Sequence, residues 1–229
     1  MLEKTVLEWV ARDAVGYGYL LDFYRRGARV CWADEAGLAL KDDAHDIVYT
    51  GGTVPPHVPE LGDSMLLLTD SRPLAQELTA RGHYRDIMTC AQALYLKKEP
   101  VVLTPRPGIS VRPLTMEDLD FVVRNYHNPG AYASHIRGRI AEGMLGGLAD
   151  GELAGFAGVH QEGAMGLLEV LPAFRRRGLA EVLEAAVINR QLRRGRLPYC
   201  HVRVGNTASE TLQKKLGLTF DSRLLYWLD

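Results

Sequence analysis

The spacing of apolar residues switches between helical and strand periods along this chain, and the switches outline its elements. Val6, Trp9, Val10, Val15 and the run 20–23 predict one or two opening helices. Residues 29–32 and 37–41 predict two short strands, joined by the turn Asp34-Glu35-Ala36-Gly37. The segment Val54-Pro55-Pro56-His57-Val58-Pro59 must be a loop, because proline lacks a backbone donor and fixes φ. Residues 65–68 predict a strand, 72–81 a helix capped by Asp70 or Ser71 and stopped by Gly82, and 89–96 a strand that ends in charge. The proline-rich stretch from Pro100 to Gly108 suits a linker, and it divides the chain into segments 1–104 and 105–229.

The second segment is more regular. Residues 109–113 predict a strand, Thr115 to Asp118 a capping-type helix start, and 135–142 a further helix. Residues 144–148 and 153–160 form a hairpin around Asp150-Gly151. A strand at 164–171 is followed by a long helix at 179–194, whose apolar residues recur at three- and four-residue steps until Gly195 ends it. A strand at 199–204, a helix at 207–216 and a strand at 223–228 complete the series. Strands and helices alternate throughout, so the predicted class is α/β with a mixed sheet.

Chemistry concentrates in Leu167-Leu-Glu-Val-Leu-Pro172-Ala-Phe-Arg175-Arg-Arg-Gly178-Leu-Ala180. A hydrophobic strand runs into a short basic turn, and a helix begins directly after it. Such a helix start leaves several backbone N–H groups without partners and directs its dipole at an anion. Gly178 offers no side chain against close approach, and Arg175, Arg176 and Arg177 can pair with phosphate oxygens. A pyrophosphate is the expected ligand. Gly178 is followed by Leu179 and Ala180, which does not fit a Gly-Lys-Ser/Thr phosphate loop, and one glycine does not make a dinucleotide fingerprint.

The loop resembles the Gln/Arg-x-x-Gly-x-Gly/Ala cofactor motif of the GNAT acyltransferase superfamily, with Arg175, Gly178 and Ala180 at its three positions. The context is similar too: Val170-Leu-Pro172 matches the preceding Val-x-Pro, and Asn206-Thr-Ala-Ser209-Glu-Thr-Leu212-Gln-Lys-Lys-Leu216-Gly217-Leu218 matches the later Asn-x-x-Ala/Ser-x-x-Leu-x-x-x-Leu-Gly-Phe, with leucine in place of the last phenylalanine. The order holds over roughly residues 108 to 229. Leu197-Pro-Tyr-Cys-His201-Val further resembles the glycine N-acyltransferase-like branch, whose members carry a degenerate GNAT-like N-terminal half.

That resemblance implies a GNAT fold with two tandem GNAT-like halves, a degenerate one at 1–104 and an acyltransferase one at 105–229. It implies acetyl-CoA or another acyl-CoA as cofactor. Leu168 and Val170 would meet the pantetheine arm, between splayed strands at 164–171 and 199–204. Arg175, Arg176, Arg177, Gly178, Leu179 and Ala180 would hold the pyrophosphate, and Asn206 would hydrogen-bond the arm. The reaction needs a base to free the amine, since an amine is mostly protonated near neutral pH. Glu169 and Glu162 are the candidates, although Ala164 aligns best with the usual carboxylate. A leaving-group acid is open: Gln213 stands where relatives carry tyrosine, so the thiolate leaves unassisted or another group such as His201 or Tyr199 acts. His127, Tyr132 and His135 fall where substrate-side helices are expected; packing or solvent exposure explains them equally.

Composition adds limits. The chain has 229 residues, 47% hydrophobic and 24% charged, with a formal net charge of −1. Nothing global recommends nucleic acid or a membrane surface as partner. The cysteines, Cys31, Cys90 and Cys200, show no metal-type spacing. Free thiols in a reducing compartment and an opening without a signal-peptide pattern lead to a cytoplasmic expectation. The leading function is acetyl or short-acyl transfer to a primary amine of a small molecule. An acyl-CoA-binding sensor module and a protein N-acetyltransferase are the alternatives. Pairing with a second copy as a homodimer is also open.

Overall fold

A computed structural model describes residues 2–127 and 133–229. In chain order the first elements are helices α1 (Leu2–Arg12) and α2 (Ala14–Arg25), strands β1 (Arg29–Ala33), β2 (Gly37–Asp42), β3 (Ile47–Gly52) and β4 (Leu66–Thr69), helix α3 (Arg72–Ala80) and strand β5 (Ile87–Leu94). Then come β6 (Ile109–Pro113), α4 (Leu119–Asn125), α5 (Ala133–Glu142), β7 (Leu145–Ala149), β8 (Glu152–Val159) and β9 (Met165–Val170). The last are α6 (Leu179–Arg193), β10 (Tyr199–Arg203), α7 (Thr207–Lys215) and β11 (Thr219–Leu228). The chain is of the mixed α/β class.

These elements form two compact units that do not follow chain order. One comprises Met1–Leu94, Tyr199–Lys214 and Leu218–Asp229, the other Tyr95–Pro198 and Lys215–Gly217. The reason is hydrogen bonding: β5 has β11 on one side and β10 on the other, so the two C-terminal strands satisfy both of its edges.

The first unit is built on the sheet β1-β2-β3-β4-β11-β5-β10, in which only β3 and β4 run parallel. Strand β3 was not anticipated. Its residues 47–51 are all buried, so it lacks the in–out alternation that marks a half-exposed strand. Asp13 caps α2 by accepting from the amides of Val15 and Gly16 at 3.1 and 2.9 Å. Ser71, rather than Asp70, caps α3, with Oγ accepting from the Leu74 amide at 3.3 Å. Asp70 accepts instead from the Gly52 amide at 3.0 Å.

The second unit carries the antiparallel meander β6-β7-β8-β9. Asp150 and Gly151 both have positive φ, 53° and 86°, as the two-residue turn between β7 and β8 requires. Helix α6 packs on β7, β8 and β9. Gly147 of β7 lets it come close: a Cβ there would lie 2.7 and 2.9 Å from the Leu179 and Leu183 methyls. The core of this unit includes Leu114, Val122, Ile136, Ile140, Met144, Phe156 and Leu167. The Thr115–Asp118 capping box is present, and Arg112 clasps Asp118 with two bonds of 2.7 and 2.8 Å.

None of the three cysteines is in a disulfide, and burial pushes the thiols of Cys31 and Cys90 up to about 11. Among the described residues no helix is long and apolar enough to cross a membrane, and no group of His, Cys, Asp and Glu could hold a metal ion.

Candidate functional site

Strand β9 is the edge strand of its sheet, and it is not regular. Pairing with β8 shifts between Phe156↔Glu169 and Gly158↔Gly166, so Leu167 and Leu168 together face Ala157. Leu167 sits at φ 51°, a conformation that costs a branched side chain about 1 kcal/mol or more, and its side chain is buried in the core. This bulge reorients the backbone of the residues after it, Leu168, Glu169 and Val170. Nothing in the continuous Leu-Leu pair announces a bulge in the sequence.

After β9 the turn Pro172–Phe174 leads to the loop. Arg175 is extended at φ −65°, while Arg176 and Gly178 have positive φ of 65° and 84°. Alternation of hand over successive residues turns their N–H groups toward one side, the geometry of an anion-binding concavity. The first helical bond of α6 runs from the Val182 amide to the Gly178 carbonyl. Among the described residues, nothing accepts from the amides of Arg176, Arg177, Gly178, Leu179, Ala180 or Glu181.

The three arginines do not act as one pool of charge. Arg175 Nε donates to the Val170 carbonyl at 3.0 Å and ties the loop to the end of β9. Arg177 pairs with Asp150 of the β7–β8 turn at 2.6 Å. The Arg176 side chain has no hydrogen-bond or ion-pair partner among the described residues. Two further cations, unforeseen from the sequence, meet at the start of α6. Arg106 Nη2 and Lys215 Nζ each lie 2.8 Å from Glu181 Oε2. Lys215 first and Arg106 second hold the Glu181 carboxyl below its ordinary range. A Cβ on Gly178 would lie 2.6 Å from Arg106 Cζ, so any side chain there would displace that guanidinium.

The remaining candidates belong to both units. Glu169 lies on β9 with His127 Nδ1 3.8 Å from its carboxylate; His127 is 75% exposed and Glu169 23%. Glu162 is buried in the β8–β9 turn, and Ala164 is buried beside it. Burial, then neighbouring His160, keeps His135 below the ordinary histidine range; the two rings are 6.5 Å apart. Tyr132 lies outside the described residues. His201 belongs to the first unit, on β10, which pairs with β5; β9 and β10 are members of different sheets. Its ring packs among Tyr19, Tyr49, Tyr199 and Trp227, and its Nδ1 accepts from the Trp227 indole at 3.3 Å. Because indole nitrogen can only donate, Nδ1 is the acceptor of this bond. Asn206 caps α7, its Oδ1 accepting from the Ser209 amide at 3.1 Å. Gln213 is buried in α7.

This arrangement suits a phosphate ester. A row of free amides, a positive helix end and a bare glycine make a cradle that a side chain would fill, which is the fit expected for the pyrophosphate of acyl-CoA.

Comparison with known proteins bears on the fold. A family model described as FR47-like protein matches residues 143–228, which contain β9, the loop and α6. A solved Drosophila melanogaster protein is similar over 99% of this chain and 95% of its own, with a TM-score of 0.67 at 17% identity. A GCN5-related N-acetyltransferase from Kribbella flavida matches over 96% and 94%, with a TM-score of 0.58 at 14% identity. A tandem GNAT protein from the clavulanic acid biosynthesis pathway matches over 99% and 95%, with a TM-score of 0.50 at 16% identity. No curated protein sequence matches the chain. The chain has the GNAT acyltransferase fold, shared along nearly its whole length with a tandem member of that fold.

Proposed function

We propose that this protein is an acyl-CoA-dependent N-acyltransferase that moves an acetyl or short acyl group to a primary amine of a small molecule. The observation that carries the reading is the unpartnered row of amides from Arg176 to Glu181, wrapped around positive-φ Gly178 at the start of α6. The GNAT fold and the FR47-like match over this segment support it.

Acyl-CoA would supply the activated thioester carbonyl. The loop amides would bind its pyrophosphate, with the Arg176 side chain as the free cation nearby. Backbone groups of Leu168 and Val170, at the edge of the bulged strand, would pair with the pantetheine amides. In the reaction a bond forms between amine nitrogen and carbonyl carbon, the carbon–sulfur bond breaks, and the thiolate leaves. Glu169 would take the proton lost by the amine, directly or through a water, with His127 within reach to hold the carboxylate in place. Glu162, buried in the β8–β9 turn, and His201, set among aromatic rings, are the weaker candidates. The glycine N-acyltransferase-like branch, and with it a small acceptor, rests on the 197–209 segment.

Titration calorimetry with acetyl-CoA, using ATP and NAD as controls, tests the donor, and a panel of primary amines tests turnover. Micromolar binding of acetyl-CoA alone is expected; equal binding of ATP, or none of acetyl-CoA, would remove the reading. One observation favours a second reading, a non-catalytic acyl-CoA module: Gln213, buried in α7 at the place of the usual tyrosine, has no acidic proton to give. Tight acetyl-CoA binding without turnover of any amine or peptide would favour it.

A further inference from the structure

The segment joining β5 to β6 does more than span a gap. It is fastened to α6 by a reciprocal amide pair: the Val101 amide donates to Asn189 Oδ1 at 2.7 Å, and Asn189 Nδ2 donates to the Val101 carbonyl at 2.9 Å. From Val101 to Arg106 an extended chain advances about 17 Å. From Asn189 back to Gly178 the helix covers about 16.5 Å. The two lengths match, so the segment runs along α6 toward its N-terminus and delivers Arg106 over Gly178. The Arg106 carbonyl then accepts from Ile109 at 3.1 Å as the chain enters β6.

At that point Arg106 is bound loosely and by an exchangeable partner. Its side chain is 40% exposed, and its ion-pair partner Glu181 already has a second cation, Lys215, on the same oxygen. If Arg106 leaves, Glu181 keeps a counter-ion. Glu181 is buried, but Lys215 on the same oxygen keeps its charge compensated, so the half-exposed guanidinium can change partners without leaving a bare carboxylate. A phosphate oxygen on the loop amides would offer a doubly hydrogen-bonded site to a planar guanidinium beside it.

We propose that Arg106 is a pyrophosphate ligand of the acyl-CoA site, supplied by the β5–β6 segment and kept in position by Glu181 until the cofactor arrives. This rests on the acyl-CoA reading of the loop. Glu181 is a positioning residue: its carboxylate holds Arg106 over Gly178 and competes with phosphate for it.

Calorimetry on the full chain tests the proposal with two probes, CoA and 3′-dephospho-CoA, which share the pyrophosphate. Arg106→Gln should weaken both by a similar factor, roughly 10- to 100-fold, with an unchanged thermal midpoint. Glu181→Gln should leave affinity equal or stronger. In the double variant that difference should vanish, because without Arg106 there is nothing to compete for. Unchanged affinity of Arg106→Gln for both probes would overturn the proposal. A loss confined to CoA would overturn it too, since it would assign Arg106 to the ribose phosphate. If the wild-type chain binds neither probe, the acyl-CoA reading fails instead.

Discussion

Gly178→Ala separates the anion-binding role of the loop from its role in the fold. Residue 178 has φ 84°, which costs an alanine about 1–2 kcal/mol relative to glycine. The new Cβ would also lie 2.6 Å from Arg106 Cζ and 2.8 Å from Arg106 Cδ, so the guanidinium must move off Glu181. Breaking that partly exposed pair adds under about 1 kcal/mol. The stability cost is therefore about 1–3 kcal/mol, visible in a thermal melt but insufficient to unfold the unit. Cofactor affinity should suffer more. If residue 178 relaxes toward negative φ, the neighbouring amides no longer converge, and losing two charge-assisted hydrogen bonds costs about 3–6 kcal/mol. That corresponds to a Kd at least about 100-fold weaker. Calorimetric titration with acetyl-CoA beside a melting curve reads both effects. A variant that loses the expected stability but binds with wild-type affinity would refute the loop as the pyrophosphate site.

Further tests address the remaining assignments. The Arg112 guanidinium, and after it the Thr115 amide, hold the Asp118 carboxyl at about 2 against an ordinary 3.8. Because the folded value is depressed, this stability is present above the unfolded value and is lost as pH falls through the folded one; it amounts to about 2 kcal/mol. Asp118→Asn should thus melt lower than wild type at neutral pH, with the gap closing between roughly pH 4 and 2; a pH-independent gap would contradict the clasp. Glu169→Gln should reduce kcat by roughly 100-fold or more while acetyl-CoA affinity stays constant; normal turnover would transfer the proton to Glu162 or to bulk water. His201→Phe should keep turnover within a few-fold and change stability by less than about 1.5 kcal/mol, since a ring of similar size replaces it in the aromatic cluster; loss of turnover with an intact melt would return His201 to the chemistry.

Elements with a local cause were legible in the sequence. The Asp150-Gly151 turn, the Thr115 capping box, and the strand–loop–helix unit from 165 to 193 follow from residues within a few positions of one another. Features that depend on distant partners were not. Strand β3 is enclosed by neighbours on both sides and carries no alternation. Strands β10 and β11 join the N-terminal strands because β5 needs partners at both edges, a requirement invisible in any window of sequence. The bulge at Leu167 is set by pairing with β8, and Arg106 meets Glu181 across 75 residues. Asn206 is a motif residue with a local structural role, since it caps α7 through Oδ1.

The division of labour in the loop would let a chain with a net charge of −1 hold the proposed multiply charged anion. Three adjacent arginines suggest that charge does the binding, yet two of them are spent on the loop itself, Arg175 on the Val170 carbonyl and Arg177 on Asp150. The first ties the turn to β9; the second, between two exposed side chains, orients it toward the β7–β8 hairpin with little energy. The backbone between them is then held in the alternating conformation that aligns its amides. Hydrogen bonds from fixed amides need no reorganisation when the anion arrives, whereas flexible arginine side chains lose rotamer freedom on binding. The arginine run thus matters chiefly as scaffolding for the amides, and the mobile charge comes from Arg176 and from Arg106 in the preceding segment.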